Sequence, residues 1–74
     1  MDAQKCGEFI TELRKEKNLT QKDLANELNV SDKAISRWET GKGFPDVDSL
    51  QSLSKFFSVT INELLAGEKA ETKT

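Results

Sequence analysis

The chain has 74 residues, with 11 basic and 13 acidic side chains, so its formal net charge is −2. That length fits one domain, near the lower size limit for a core that folds without metals or disulfides. One cysteine and no histidine exclude an intrachain disulfide and oppose a structural zinc site. No apolar run approaches the roughly 18 residues of a membrane helix, and no signal-like region opens the chain. We therefore expect a cytoplasmic protein that needs no metal, cofactor or membrane.

The first predicted helix covers residues 4–17. Its core-facing positions share the i, i+3, i+4, i+7 spacing of an amphipathic helix and are Cys6, Phe9, Ile10 and Leu13. On this face Cys6 is expected to be a small core hydrophobe and not a reactive thiol. Asn18 is predicted to end the helix, because asparagine tolerates the left-handed conformation.

Four further helix starts are marked by an apolar residue, a capping residue and a second apolar residue at one fixed spacing. The sets are Leu19-Thr20-Leu24, Val30-Ser31-Ile35, Pro45-Asp46-Leu50 and Val59-Thr60-Leu64. Each middle residue can accept a hydrogen bond from the first turn, and the apolar pair can close over it. Asp23 and Glu63 follow the two threonines by three places, and Glu63 is expected to complete a full capping box.

These starts predict helices at about residues 21–28, 32–40, 47–57 and 61–66. Their inward positions are Leu24, Ala25 and Leu28; Ala34, Ile35 and Trp38; Leu50, Leu53 and Phe57; Ile61, Leu64 and Leu65. Gly41 and Gly67 are placed to end the third and fifth helices. Since no strand pattern occurs, we expect an all-α fold of five short helices. Residues 68–74 lack an apolar pattern and are predicted to be a frayed tail.

The second and third helices are predicted to be joined very tightly. Caps at positions 20 and 31 leave about eight residues for a helix and three for a turn. Such a joint is how many proteins place a helix in the major groove of DNA. The acidic net charge opposes this, since nucleic-acid-binding domains tend to be basic. Residues 31–45 nevertheless carry a small basic surplus: Lys33, Arg37 and Lys42 against Asp32 and Glu39.

The stretch QKDLANELNVSDKAISRWETGKGFP, which begins at Gln21, resembles the helix-turn-helix of the phage-repressor family (Cro/lambda-repressor, XRE-type). The similarity continues through SLQSLSKFFSVTINELLAGE and covers about residues 5–67. Its marks are Leu-Thr-Gln at the start of the second helix, Ala25, Val30, Ile35, Trp38 and the sequence Glu-Thr-Gly-Lys. Asn29 stands where the family usually has glycine, and asparagine can also occupy that left-handed position.

The resemblance implies a compact five-helix, lambda-repressor-like DNA-binding domain at residues 1–67. Its motif would span residues 20–40, with the reading helix at about 32–40. In this family the outward side chains on the first two turns of the reading helix meet base edges. The residues implied for base reading are Lys33, Ser36, Arg37 and Asp32. Arg37 is the first candidate, because a guanidinium can donate to guanine O6 and N7 together. Asp32 either accepts a hydrogen bond from cytosine or only interacts favourably with the helix dipole.

Contacts to the DNA backbone are implied on both sides of the reading helix. Similar proteins bind phosphate through the glutamine that starts the second helix, where free N–H groups favour an anion. The implied phosphate-binding residues are Gln21, Thr20, Ser31, Thr40 and Lys42. Similar repressors also join the ends of the first and third helices by an ion pair, which here would be Arg14 with Glu39. Trp38 is in phase with Ala34 and Ile35, so it is expected in the core and not as a base-stacking platform.

Two function classes remain open. One is sequence-specific binding of double-stranded DNA by a transcriptional regulator, which acts as a homodimer at least on DNA. The other is a helix-turn-helix fold reused as a protein-interaction module, such as an antitoxin or an assembly partner. An enzyme is not expected, because the chain has no histidine, no nucleophile–base pair and no metal cluster. The cations on the groove-facing helix favour DNA, since an interaction module has no reason to keep them.

Overall fold

A computed structural model describes residues 2–70, which form five α-helices joined by short turns. The helices are α1 (Ala3–Glu16), α2 (Gln21–Leu28), α3 (Asp32–Glu39), α4 (Val47–Phe57) and α5 (Ile61–Ala66). The predicted all-α fold is confirmed, and the helix ends differ from the expected ones by one residue at most. The first helix begins early because the Asp2 carboxylate accepts hydrogen bonds from the N–H groups of Gln4 and Lys5.

Three of the four predicted caps form through their side chains. Thr20 accepts from the Asp23 N–H at 3.0 Å, and Ser31 and Thr60 make the equivalent bonds at the starts of α3 and α5. Thr20 with Asp23 forms a full capping box, as does the expected pair in α5. The prediction for Asp46 is wrong: α4 begins after it, but its side chain makes no capping bond. Its exposed carboxylate still places negative charge at the positive end of α4.

Three helices are followed by a residue other than glycine that adopts the left-handed backbone conformation. Asn18 and Asn29 both have φ 59°, which confirms the two predicted asparagine turns. After the second turn, the Val30 N–H donates to the Ala25 carbonyl at 2.9 Å and closes the joint between α2 and α3. Ser58, with φ 58°, ends α4 although nothing in the sequence marked it. The tight joint required by the motif is therefore built without glycine.

The core lies between α1 and the other helices. Its buried hydrophobic residues are Cys6, Phe9, Ile10, Leu13, Leu24, Ala25, Ile35, Trp38, Leu50, Leu53, Phe57, Val59 and Leu64. Four residues predicted to face inward are only half-buried and pack against the edge of this core: Leu28, Ala34, Ile61 and Leu65. Trp38 is 7% exposed, which confirms its place in the core, and burial raises the pKa of the Cys6 thiol.

The predicted frayed tail, residues 68–74, lies partly outside the described residues. In the described part, the backbone N–H of Ala70 donates to the Glu63 carboxylate at 2.7 Å. The N–H of Glu68 donates to the Glu63 carbonyl at 3.2 Å. Within residues 2–70, no helix is long and apolar enough to cross a membrane.

The chain packs tightly where α1 passes the carboxyl end of α3. A Cβ atom placed on Gly7 would lie 2.1 Å from the Trp38 carbonyl oxygen and 2.9 Å from the Glu39 carbonyl carbon. Both neighbours are backbone atoms of a helix, so neither can move aside alone. No sequence pattern marks Gly7, yet this glycine allows α1 to pack directly on α3.

We expect Gly7→Ala to lower the free energy of unfolding by about 3 kcal/mol, because overpacking forces backbone shifts of this cost. Urea denaturation followed by circular dichroism measures the change. The matched control is Gly43→Ala, since its Cβ would meet only the Arg37 Nη2 atom at 3.4 Å. The free energy of unfolding of this control should stay within about 0.5 kcal/mol of the wild-type value. Equal effects at the two glycines would show that the helix crossing does not depend on the missing side chain.

Candidate nucleic-acid interface

One side of α3 is turned away from the core and carries the residues implied for base reading. Ile35 and Trp38 are buried, so the opposite side of this eight-residue helix faces solvent. The outward residues are Asp32, Lys33 and Arg37, which are exposed, and Ser36, which is half-buried. Lys33 and Arg37 are four residues apart and therefore neighbours on the helix surface. The structure thus brings two cations together on the exposed side of α3.

Arg37 lies beside the loop that follows α3. Its Nη2 atom would be 3.4 Å from a Cβ atom on Gly43, and its backbone carbonyl accepts from the Lys42 N–H at 3.0 Å. Lys42 itself is exposed in this loop. The hydroxyl of Thr40 donates to the Ser36 carbonyl at 2.8 Å, so its hydrogen is already used at the helix end. Thr40 can therefore accept a hydrogen bond but must rotate before it can donate one to a phosphate.

Unlike the Thr40 hydroxyl, which donates, the hydroxyls of Thr20 and Ser31 act as hydrogen-bond acceptors. Each accepts a hydrogen bond from its own helix, with Thr20 bound by the Asp23 N–H and Ser31 by the Ala34 N–H. Across residues 2–70 the hydrogen of neither hydroxyl has an acceptor. Both side chains can therefore donate to an anion while they cap their helices. The exposed amino ends of α2 and α3 add free N–H groups and the positive ends of two dipoles.

An ion pair between α1 and the carboxyl end of α3 underlies this surface. The Arg14 Nε atom lies 2.7 Å from Glu39 Oε2, and Arg14 Nη2 lies 3.1 Å from Glu39 Oε1. The guanidinium also donates through Nη1 to the Leu19 carbonyl at 2.7 Å, in the turn before α2. The two side chains are 13% and 5% exposed. The expected pair is thus present, bidentate and largely shielded from water.

The start of α2 joins the same group, through a bond that sequence reasoning missed. The Gln21 amide nitrogen donates to Glu39 Oε1 at 2.9 Å. No local pattern marks this bond, because it links residues 18 positions apart. A residue implied for phosphate binding is thus bonded to the last residue of α3.

Glu39 is ionised in spite of its burial. Burial alone would raise the pKa of this carboxyl group. Hydrogen bonds from Arg14 and Gln21, together with the positive charge of Arg14, outweigh burial and hold the pKa of Glu39 below its usual range. At neutral pH the group is therefore a carboxylate whose charge is compensated by Arg14.

The sequence model of the helix-turn-helix family matches residues 10–64. This chain belongs to the helix-turn-helix family. Its helix-turn-helix domain is similar to the HTH-type transcriptional activator BcrR of Enterococcus faecalis, with 58% identity over 66 residues. It is also similar to the HTH-type transcriptional regulator DdrOP3 of Deinococcus deserti, with 36% identity over 63 residues. The expected resemblance to the repressor family is confirmed.

Solved structures agree with the fold of this helix-turn-helix domain. It superposes on the solution structure of the DNA-binding domain of the P22 C2 repressor with a TM-score of 0.78 and 34% identity. That match covers 99% of this chain and 96% of the solved one. The alignments with BcrR and DdrOP3 cover 89% and 85% of this chain but only 32% and 49% of those proteins. The chain thus spans about a third to a half of these curated relatives.

We expect Arg14→Met to destabilise the helix-turn-helix domain by about 3 kcal/mol or more. The substitution leaves the Glu39 carboxylate shielded from water without its positive partner. The Arg14→Met/Glu39→Met double variant should recover much of that loss, because no unpaired charge remains. Chemical denaturation of the four members of the cycle measures both effects.

The matched control is Lys15→Met, which removes an exposed cation one position further along α1. It should change the free energy of unfolding by no more than about 0.5 kcal/mol. If Arg14→Met is as mild as this control, the ion pair contributes only what an exposed pair would.

Proposed function

We propose that this chain binds double-stranded DNA sequence-specifically, as the DNA-binding part of a transcriptional regulator. Residues 1–67 form the domain and residues 20–40 its motif, and α3 enters the major groove. The observation that carries the proposal is the exposed pair Lys33 and Arg37 on the outer side of an α3 whose inner side is buried. The domain has no catalytic role, and it acts in the cytoplasm, like other regulators that meet DNA there.

Base reading falls to the outward side chains of α3. Arg37 grips a guanine through O6 and N7, and Lys33, one turn earlier, reaches an adjacent base edge. Ser36 is small enough to donate to or accept from a base edge. Asp32, at the start of α3, either accepts from a cytosine amino group or only stabilises the helix end. The two cations carry most of the discrimination.

Phosphate binding fixes the register of α3 in the groove without reading sequence. On one side the amino end of α2 supplies Gln21 and Thr20, and Ser31 adds a hydroxyl at the start of α3. On the other side Lys42 reaches the backbone from the loop, and Thr40 lies beside it. Two such domains pair as a homodimer on DNA, with half-sites about one helical turn, or roughly 34 Å, apart.

Replacing the leading base reader tests the specificity. Arg37→Ala should weaken binding to a site selected from a random duplex library by about 1–3 kcal/mol and relax preference at one base pair. Binding to unrelated duplex should change much less, since Arg37 binds a base and not the DNA backbone. Fluorescence anisotropy on both duplexes gives the comparison. Equal weakening on selected and unrelated DNA would instead make Arg37 a phosphate-binding residue.

Phosphate binding is tested by its salt dependence. Wild-type affinity for random duplex should fall steeply as salt rises, because each neutralised phosphate releases counterions. Lys42→Ala should weaken all duplexes alike and reduce the magnitude of the log–log salt slope by about 1. Lys55→Ala, an exposed lysine of α4 outside the motif, is the control and should keep the wild-type slope. A wild-type affinity that does not respond to salt contradicts the proposed function.

A further inference from the structure

A single carboxylate oxygen connects three helices. Glu39 Oε1, at the end of α3, accepts from Arg14 Nη2 at 3.1 Å and from Gln21 Nε2 at 2.9 Å. The Glu39 side chain is only 5% exposed, so it cannot itself meet a DNA strand. Gln21 is half-buried and is the first residue of α2. The carboxylate therefore acts on any bound anion only through the residues that it holds.

The bond to Glu39 decides which way the Gln21 amide points. An ionised carboxylate only accepts hydrogen bonds, so the amide must turn its nitrogen and not its oxygen toward Glu39. That nitrogen carries two hydrogens, and Glu39 takes one of them. The second hydrogen makes no hydrogen bond within residues 2–70, and neither does the backbone N–H of Gln21 at the amino end of α2. A phosphate at this end would meet donors, and the amide oxygen would be kept away from it.

We propose that Glu39 is a positioning residue for DNA-backbone binding: it fixes the Gln21 amide with a hydrogen presented to a phosphate, while Arg14 cancels its charge. This inference rests on the proposed function and adds the residue that orients its phosphate contact. Arg14 is necessary because an uncompensated carboxylate behind Gln21 would repel the phosphate. Glu39 is the last residue of α3. The same carboxylate therefore sets both the phosphate contact at the start of α2 and the position of the reading helix.

A double-mutant cycle on DNA binding tests this inference with a random 20-base-pair duplex as the probe. Gln21→Met keeps an unbranched side chain but removes the donor, and should weaken binding about three- to tenfold, the loss typical of one hydrogen bond. Glu39→Gln leaves the Gln21 amide without a fixed orientation but also leaves the positive charge of Arg14 uncompensated, so its effect is judged by its coupling to Gln21→Met and not by its size alone. The double variant should bind no more weakly than the Gln21→Met variant. Effects that multiply in the double variant would overturn the inference, since Glu39 would then act independently of Gln21.

A spectroscopic measurement on the wild-type protein does not depend on how well Glu39→Gln folds. The two side-chain amide protons of Gln21 should resonate further apart in a ¹⁵N-correlated spectrum than those of a solvated glutamine, because one of them is bonded to Glu39, and both should shift when duplex is added. Gln51, an exposed glutamine on α4, provides the control and should keep the values of a solvated amide. A Gln21 amide that resembles Gln51 in the wild type, or that duplex leaves unshifted, would also overturn the inference.

The outcomes separate this inference from the function on which it rests. Wild-type protein without salt-dependent duplex binding contradicts both. Strong duplex binding with a normal Lys42→Ala effect, but with Gln21→Met unchanged, contradicts the phosphate contact of Gln21 and its positioning by Glu39, but not DNA binding by the domain. Coupled effects at Gln21 and Glu39 together with the amide shifts support both.

Discussion

The carboxyl end of α3 is held against α1 by two features that need each other. Gly7 has no side chain, which lets the two helices approach until a Cβ atom would strike the Trp38 carbonyl oxygen. At this separation Arg14 reaches Glu39 with two nitrogens and still donates to the Leu19 carbonyl. A wider crossing would lengthen these bonds and leave a shielded carboxylate uncompensated, which is costly. The direction of α3 is therefore set by atoms on its inner side, away from its exposed face.

An acidic chain can still present a surface suited to DNA, because several of its carboxylates are used inside the fold. Glu39 is neutralised by Arg14, and hydrogen bonds to backbone N–H groups at helix starts hold the pKa values of Asp23 and Glu63 below their usual range. Asp2 caps α1 in the same manner. The charges of Asp2, Asp23 and Glu63 lie at helix starts, where the dipole favours them, whereas Glu39 lies at the carboxyl end of α3 and depends on Arg14. The net charge of −2 thus says less about partners than the placement of Lys33 and Arg37 does.

Sequence reasoning succeeded where the determinant is local. Helix periodicity, the Thr20 and Thr60 caps and the left-handed Asn29 all depend on residues within one turn, so the helix bounds could be predicted closely. The ion pair between Arg14 and Glu39 was predicted from the family resemblance and not from the spacing of residues. What could not be predicted depends on residues far apart along the chain: the absent side chain at Gly7 and the bond from Gln21 to Glu39. Such contacts exist only after the helices have packed, and no periodic pattern records them.

The short length of α3 explains why its supports are so close together. A helix of eight residues is not stable alone in water, since isolated helices shorter than about 12–15 residues are marginal. Its outer side is exposed to solvent, so stability has to come from its inner side and its two ends. Ser31 caps the amino end, Ile35 and Trp38 anchor the inner side, and Glu39 ties the carboxyl end. The backbone of α3 is consequently fixed by contacts within the domain, while side chains such as Arg37 stay exposed on its outer side.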